Sequence, residues 1–130
     1  MKTCIVNTKG FRNPAMPFSA AVVAEGKFVF VAGQGPLRPD NLAIVRGTLE
    51  EQFDLTMQNI KAHLEAAGSS IDKIVSMRVF LSSNDTDNWT RMTAAYKKWF
   101  PDPNKWPART TIGCQLLGID VEIDCIAVAD

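Results

Sequence analysis

Two stretches of this chain repeat their apolar residues with a helical period, and the other apolar residues alternate or cluster as strands do. The first stretch opens at Thr48-x-x-Glu51, a capping box in which threonine and glutamate satisfy each other's free backbone N–H groups. Phe53, Met57, Ile60, Leu64 and Ala67 follow as one helical stripe, and Gly68 ends it as a C-cap. The second stretch takes an N-cap from 84–88, carries Trp89, Met92, Tyr96 and Trp99, and stops at Pro101. Strand patterns occupy 3–7, 18–24, 27–32, 74–81, 108–115 and 121–128. Glu25-Gly26 has the length of a tight hairpin turn, and 33–41 alternates glycine and proline as a loop. Residues 43–45 add a short strand or strand extension. The order is βββαβαββ, an α+β domain of about six strands and two amphipathic helices.

Two helices cover one face of a sheet. The other face would carry Phe80, Ile126, Val128 and half of 28–31, with Val75, Met77, Val79 and Leu81 turned toward the helices. Such a face is too apolar to stay wet. It implies that another copy of the chain covers it, without fixing the number of subunits.

With 130 residues the chain reads as one domain over 1–130, and 14 basic against 14 acidic side chains leave no net charge. That balance gives no bulk attraction to nucleic acid or to an anionic membrane. No run of about 18 apolar residues is long enough to span a bilayer, and the start lacks the pattern of a signal peptide. Three cysteines, Cys4, Cys114 and Cys125, are an odd count without a CxxC pair. They argue against a disulfide framework or structural zinc and for a reducing cytoplasm. The single histidine, His63, sits on a helix flank and leaves little room for a histidine-based triad.

Few residues offer chemistry. Gly33-Gln34-Gly35 lacks the third glycine of a dinucleotide loop, and Pro36 follows where a helix should begin. A strand-end glycine still lets backbone approach a ligand, or it marks a plain turn. Arg109 lies at a strand entry beside Thr110 and Thr111, where its fork would grip a carboxylate or serve an edge salt bridge. Glu122 and Asp124 share one strand face, either as a solvated surface or, in a partly apolar interface, as groups able to move protons. Cys114 and Cys125 pattern as small core residues. These spacings alone name no reaction.

Several longer segments do more: Phe28-Val29-Phe30-Val31-Ala32-Gly33-Gln34-Gly35-Pro36-Leu37, Leu64-Glu65-Ala66-Ala67-Gly68-Ser69, Val79-Phe80-Leu81, Pro107-Ala108-Arg109-Thr110-Thr111 and the run from Val121 to Val128. In this order and spacing the chain resembles the RidA/YjgF reactive-intermediate deaminase family, formerly called the L-PSP endoribonuclease family. The resemblance implies a chorismate-mutase-like fold, a six-stranded mixed sheet with two helices on one face. It also implies a homotrimer around a central barrel, with active sites between subunits. The implied chemistry is hydrolysis of enamines or imines such as 2-aminoacrylate to 2-oxo acids and ammonia, with no cofactor and no metal. Arg109 then matches the arginine that grips the substrate carboxylate, Glu122 the glutamate that holds the attacking water, and Gly33 the glycine whose carbonyl faces the imine nitrogen. Thr110 and Thr111 flank the arginine, Thr111 standing where many members have cysteine. Phe18 stands where many carry tyrosine. Thr93 falls near a common asparagine position, 84–88 is about two residues longer than usual, and the turn 116–120 is about two shorter. A non-catalytic trimer that binds 2-oxo acids, a specialised hydrolase and an RNA-cleaving protein are the competing readings; holding both Arg109 and Glu122 favours catalysis.

Overall fold

The computed structural model describes residues 1–5 and 16–129. Its elements are β1 (Lys2–Ile5), β2 (Ala21–Ala24), β3 (Lys27–Gln34), α1 (Leu49–Ala66), β4 (Ile74–Leu81), α2 (Thr86–Trp99), β5 (Ala108–Gly113) and β6 (Val121–Ala129). Single 3-10 turns, Ile71–Lys73 and Pro103–Lys105, precede β4 and β5. The order βββαβαββ and the α+β class are as the pattern predicts. Val6 and Asn7, the end of the expected first strand, lie outside the described residues.

The expected six-stranded sheet is divided. β3, β6, β4 and β5 form a four-stranded mixed sheet in that order, with β4 and β5 parallel and the other pairs antiparallel. β1 and β2 form a separate antiparallel pair. The two are joined at Ser19, which bridges Ala108 and whose N–H donates to Pro107 O over 2.9 Å. The turn at Glu25-Gly26 is therefore not a hairpin: β2 pairs with β1, while β3 leaves to pair with β6. Gly26 at φ 124° makes that change of partner, in backbone that side-chain-bearing residues avoid. The segment 18–24 is extended only from Ala21, and 43–45 contributes a single bridge, Ile44 to Leu37.

Local signals hold better. Thr48 Oγ1 accepts from the Glu51 N–H at 3.1 Å, and Glu51 Oε1 accepts from the Thr48 N–H at 3.2 Å. Asp85 caps α2 by accepting from the Asn88 N–H at 2.8 Å. Phe53, Met57, Ile60 and Leu64 of α1 are fully buried with Met92 and Tyr96 of α2 against Val79, Leu81, Val121, Ile123 and Ala127. Ala67 is exposed, so the stripe ends one turn early.

On β4, Ile74 lies opposite Ala127 and Ser76 opposite Ile126, which leaves Val75 as an extra residue. This bulge puts Ile74 and Met77 in the core and Val75 only half in it, against simple alternation. The face away from the helices presents Phe28 at 47% exposure and Phe30 at 75%, beside half-buried Phe80 and Ile126. Val128, expected there, is buried: the end of β6 packs against the Ile71–Lys73 turn, and the Ser69 hydroxyl donates to the Val128 carbonyl over 2.6 Å.

Candidate active site

Arg109 stands on β5 opposite Met77, which points it under α2. It is 7% exposed. Its Nη2 donates to Thr93 Oγ1 at 3.3 Å and its Nη1 lies 3.9 Å from Met92 Sδ. The guanidinium carbon is 4.6 Å from the Tyr96 ring centre, 4.9 Å from that of Phe18 and 5.5 Å from that of Trp89. Nε is buried without a partner, and no carboxylate among the described residues pairs with the group. Three aromatic rings return part of the hydration the cation has lost. Burial nevertheless pushes its pKa down to about 10. A desolvated guanidinium with unused donors has the charge and the planar fork that a carboxylate-sized anion would fit.

The neighbouring segments hold it there. Trp106 Nε1 donates to Phe100 O at the end of α2 over 2.8 Å, which fixes the entry to β5. The Ser19 hydroxyl donates to Trp106 O over 2.6 Å, so the residue next to Phe18 is lashed to the same entry and the Phe18 ring falls across Arg109. Tyr96 also keeps a buried hydroxyl without a partner, and burial pushes its phenol pKa up.

A second group forms around β6. Val31 lies opposite Cys125 but Gln34 opposite Ile123, so β3 holds an extra residue at 32–33. At that bulge a Cβ added to Gly33 would come within 2.6 Å of Glu122 Oε2. The Glu122 carboxylate occupies the space that a side chain at 33 would take, so any other residue there would displace it. Gly33 and Glu122 share a cavity of about 410 Å³ with Leu37, Ile44, Leu117 and Ile119. Asp124 lies on the same face as Glu122, as alternation predicts. It accepts from Arg78 Nε at 3.0 Å and from Arg78 Nη2, so this carboxylate is already paired.

The structure thus joins Phe18 to Arg109 and Gly33 to Glu122, and it separates the two groups. Arg109, Met77 and Cys125 are in register, and so are Ile112, Phe80 and Glu122, three residues along each strand. An odd step reverses the side. Arg109 faces the helices and Glu122 the open face. Thr111, opposite Val79, shares Arg109's side; Thr110, opposite Arg78, is exposed on the other.

Trp89, Met92, Thr93 and Tyr96 complete the arginine's surroundings, a role the helical stripe alone does not disclose. A buried strand cation needs partners, and the facing helix supplies them. His63 contacts Gln34 through Nε2 and Oε1 at 3.1 Å on the surface. Burial pushes the Cys125 thiol up to about 12, which suits core packing and not nucleophilic attack. Among the described residues no group of three or more His, Cys, Asp or Glu could hold a metal ion, and no helix is long and apolar enough to cross a membrane.

A small α+β domain with a buried arginine that no carboxylate among the described residues pairs, and with a glutamate seated against a bulge glycine, is the class that this geometry defines. A family model described as Endoribonuclease L-PSP matches residues 10–129. The chain belongs to that family, the RidA/YjgF/L-PSP family. It is similar to a RutC family protein of Pyrococcus abyssi, 35% identical over 96% of this chain and 94% of that protein. It is also similar to the mitochondrial protein mmf2 of Schizosaccharomyces pombe, 38% identical over 85% and 86% of the two chains. Among solved structures, the conserved Rid family protein YyfB of Yersinia pestis superposes with a TM-score of 0.86 at 25% identity, covering 98% of both chains. Yeast Mmf1 gives 0.72 at 36% identity over the whole of both.

Proposed function

We propose that the chain hydrolyses 2-imino and 2-enamino acids to 2-oxo acids and ammonia, without metal or cofactor. The observation that carries this reading is Arg109: a buried cation, unpaired, with free donors and aromatic walls. In the proposed reaction its fork holds the substrate carboxylate, which places the adjacent C=N carbon a fixed distance away. Phe18 walls the receptor without a hydroxyl, and Thr111 adds a backbone donor beside the arginine. Thr110 faces away, so its part is limited to the strand backbone. Glu122 holds a water and takes its proton as the water oxygen bonds to the imine carbon. That proton goes to the nitrogen, giving a carbinolamine. Glu122 then takes the proton of the new hydroxyl and passes it to the nitrogen as well, so that the C–N bond breaks as C=O forms and ammonia leaves a 2-oxo acid. An enamine enters the same path after protonation at its β-carbon. The Gly33 carbonyl accepts from the imine N–H. Such positioning supplies several kcal/mol of barrier lowering, and one proton-transfer group about 10²–10⁴-fold in rate.

A small substrate cannot touch both Arg109 and Glu122 of one chain, since they lie on opposite sides of the sheet. The proposal therefore places each site between copies of the single 1–130 domain. They assemble as a homotrimer whose open faces, with Phe28 and Phe30, line a central barrel. The unpaired cysteines favour the cytoplasm, although mmf2 is named as mitochondrial.

The test is release of ammonia and 2-oxo acid, above the spontaneous rate, from imines made in situ by an amino-acid oxidase. Acceleration by the wild type and its loss in Arg109→Ala is the expected result. Binding of 2-oxo acids without acceleration would instead identify a receptor trimer. Cleavage of a labelled RNA with no effect on imines would favour the activity named in the family model's description.

A further inference from the structure

Resting on the deaminase reading, we propose that the cavity over Glu122 receives the substrate's side chain. We further propose that it selects bulky apolar ones, of leucine, methionine or phenylalanine size, over the one-carbon tail of 2-aminoacrylate. If Glu122 holds the water, the reacting carbon sits beside Glu122, and with its carboxylate held by Arg109 the side chain that carbon carries enters the same cavity. The cavity holds about 410 Å³, within the range of sites that enclose whole small molecules. A methyl group would leave most of it to water.

Leu37, Ile44, Leu117 and Ile119 form an aliphatic part of its wall beside Gln115, and Glu122 is the one charged residue that lines it among the described residues. Leu117 is 91% exposed and Ile44 38%, so two apolar side chains stand at a rim that the described residues leave partly open. An anionic tail would lie against these aliphatic side chains and the Glu122 carboxylate, at a cost that an alkyl or aryl tail does not meet.

Gly35 sets the width. A Cβ added there would stand 3.1 Å from Ile119 Cδ1, so any side chain at 35 presses into the space between the walls. The loop is held in place: Asn59 Nδ2 on α1 donates to the carbonyls of Gly35 at 3.1 Å and of Leu37 at 2.9 Å. The cavity is thus a fixed room, open because residue 35 has no side chain. Gly35 is not in left-handed backbone, so Gly35→Val changes the space without straining the main chain.

The measurement is kcat/KM for imines generated from leucine, methionine, phenylalanine and alanine, with spontaneous hydrolysis subtracted. Leucine imine is expected to be favoured over alanine imine by at least roughly tenfold, the discrimination that one or more methylenes give in an apolar pocket. Gly35→Val should lower that ratio, and Leu117→Asp, at an exposed position, should lower it as well. Equal or better turnover of alanine imine overturns the inference and leaves the deaminase reading standing. So does a Gly35→Val variant that loses both imines in equal proportion. If no imine is accelerated, the deaminase reading fails; calorimetry of 4-methyl-2-oxopentanoate against pyruvate then reads the cavity alone. Tighter binding of the longer acid supports the apolar room, and equal binding overturns it.

Discussion

Arg109 carries a cost that its surroundings only partly offset. A guanidinium 7% exposed, with Nε unpartnered and no carboxylate beside it, is destabilising unless an anion arrives. The pKa direction says the same. Burial pulls the folded value down to about 10, so the unfolded chain holds this proton more tightly. The penalty is therefore present below about pH 10 and is relieved as pH rises toward the ordinary guanidinium value. Arg109→Met removes it at every pH. That variant should melt no lower than the wild type and up to about 2 kcal/mol higher, while losing all 2-oxo acid binding. Wild-type protein should gain stability when a 2-oxo acid is added, by about 2.7 kcal/mol at a hundredfold excess over Kd. Thermal melts with and without ligand check both, and an Arg109→Met protein that unfolds early would show that the arginine is structural. In the sequence this residue was legible as a strand-entry arginine with two readings, receptor or edge salt bridge. The structure forms no salt bridge to it among the described residues and buries it under α2, whose stripe reads as plain core until β5 is placed beneath it.

Between elements, polar side chains fix the strand ends that carry the site. Gln52 on α1 is 4% exposed; its Nε2 donates to Gly47 O at 3.1 Å and to Asp120 Oδ2 at 2.8 Å, and its Oε1 accepts from the Asp120 N–H at 2.9 Å. Asp120 immediately precedes β6, two residues before Glu122. Gln52→Leu should cost about 1–3 kcal/mol by stranding these partners and should lower turnover through a displaced Glu122. A denaturant titration and a kcat measurement test the two parts separately. The helices are clasped by Glu50 and Arg91, with Arg91 Nη2 donating to Glu50 Oε1 at 2.7 Å. That hydrogen bond is the main cause of the lowered Glu50 pKa. A depressed carboxylate stabilises above its ordinary pKa and loses the contribution as pH falls through the folded value. The clasp should thus be complete at neutrality and fade in acid, and Glu50→Gln should flatten the acid limb of a stability–pH curve. Both side chains of the pair are partly exposed to solvent, so the effect is small. Capping signals and apolar periods made these helices legible. The division of the strands into two sheets was not, because Gly26 allows a partner change that a two-residue turn does not announce. Nor were the bulges at Val75 and 32–33, since one extra residue reverses a face without changing composition.

At the scale of the molecule, the two candidate groups lie apart. Arg109 lies under α2, the Glu122 cavity on the open face, and the sheet stands between them. The open face also leaves Phe30 75% exposed and Phe28 47%, an apolar surface that a second copy would bury. Both facts fit the proposed arrangement, in which Arg109 of one copy meets Glu122 of the next. The argument has a consequence that neither half alone would produce. Arg109→Ala and Glu122→Gln should each be inactive as pure proteins, the first unable to hold the carboxylate, the second unable to take a proton from water. Mixed, unfolded and refolded together in equal amounts, they should recover activity. A shared site is intact when it draws its arginine from a Glu122→Gln copy and its glutamate from an Arg109→Ala copy. Random assembly in a closed ring makes that about one site in four, so about a quarter of wild-type activity should return. Recovery should follow subunit exchange in time and be absent when the proteins are mixed without unfolding, if the oligomer is stable. A site contained in one chain would give no recovery under any mixing, and it would require Arg109 and Glu122 to meet through the sheet that separates them.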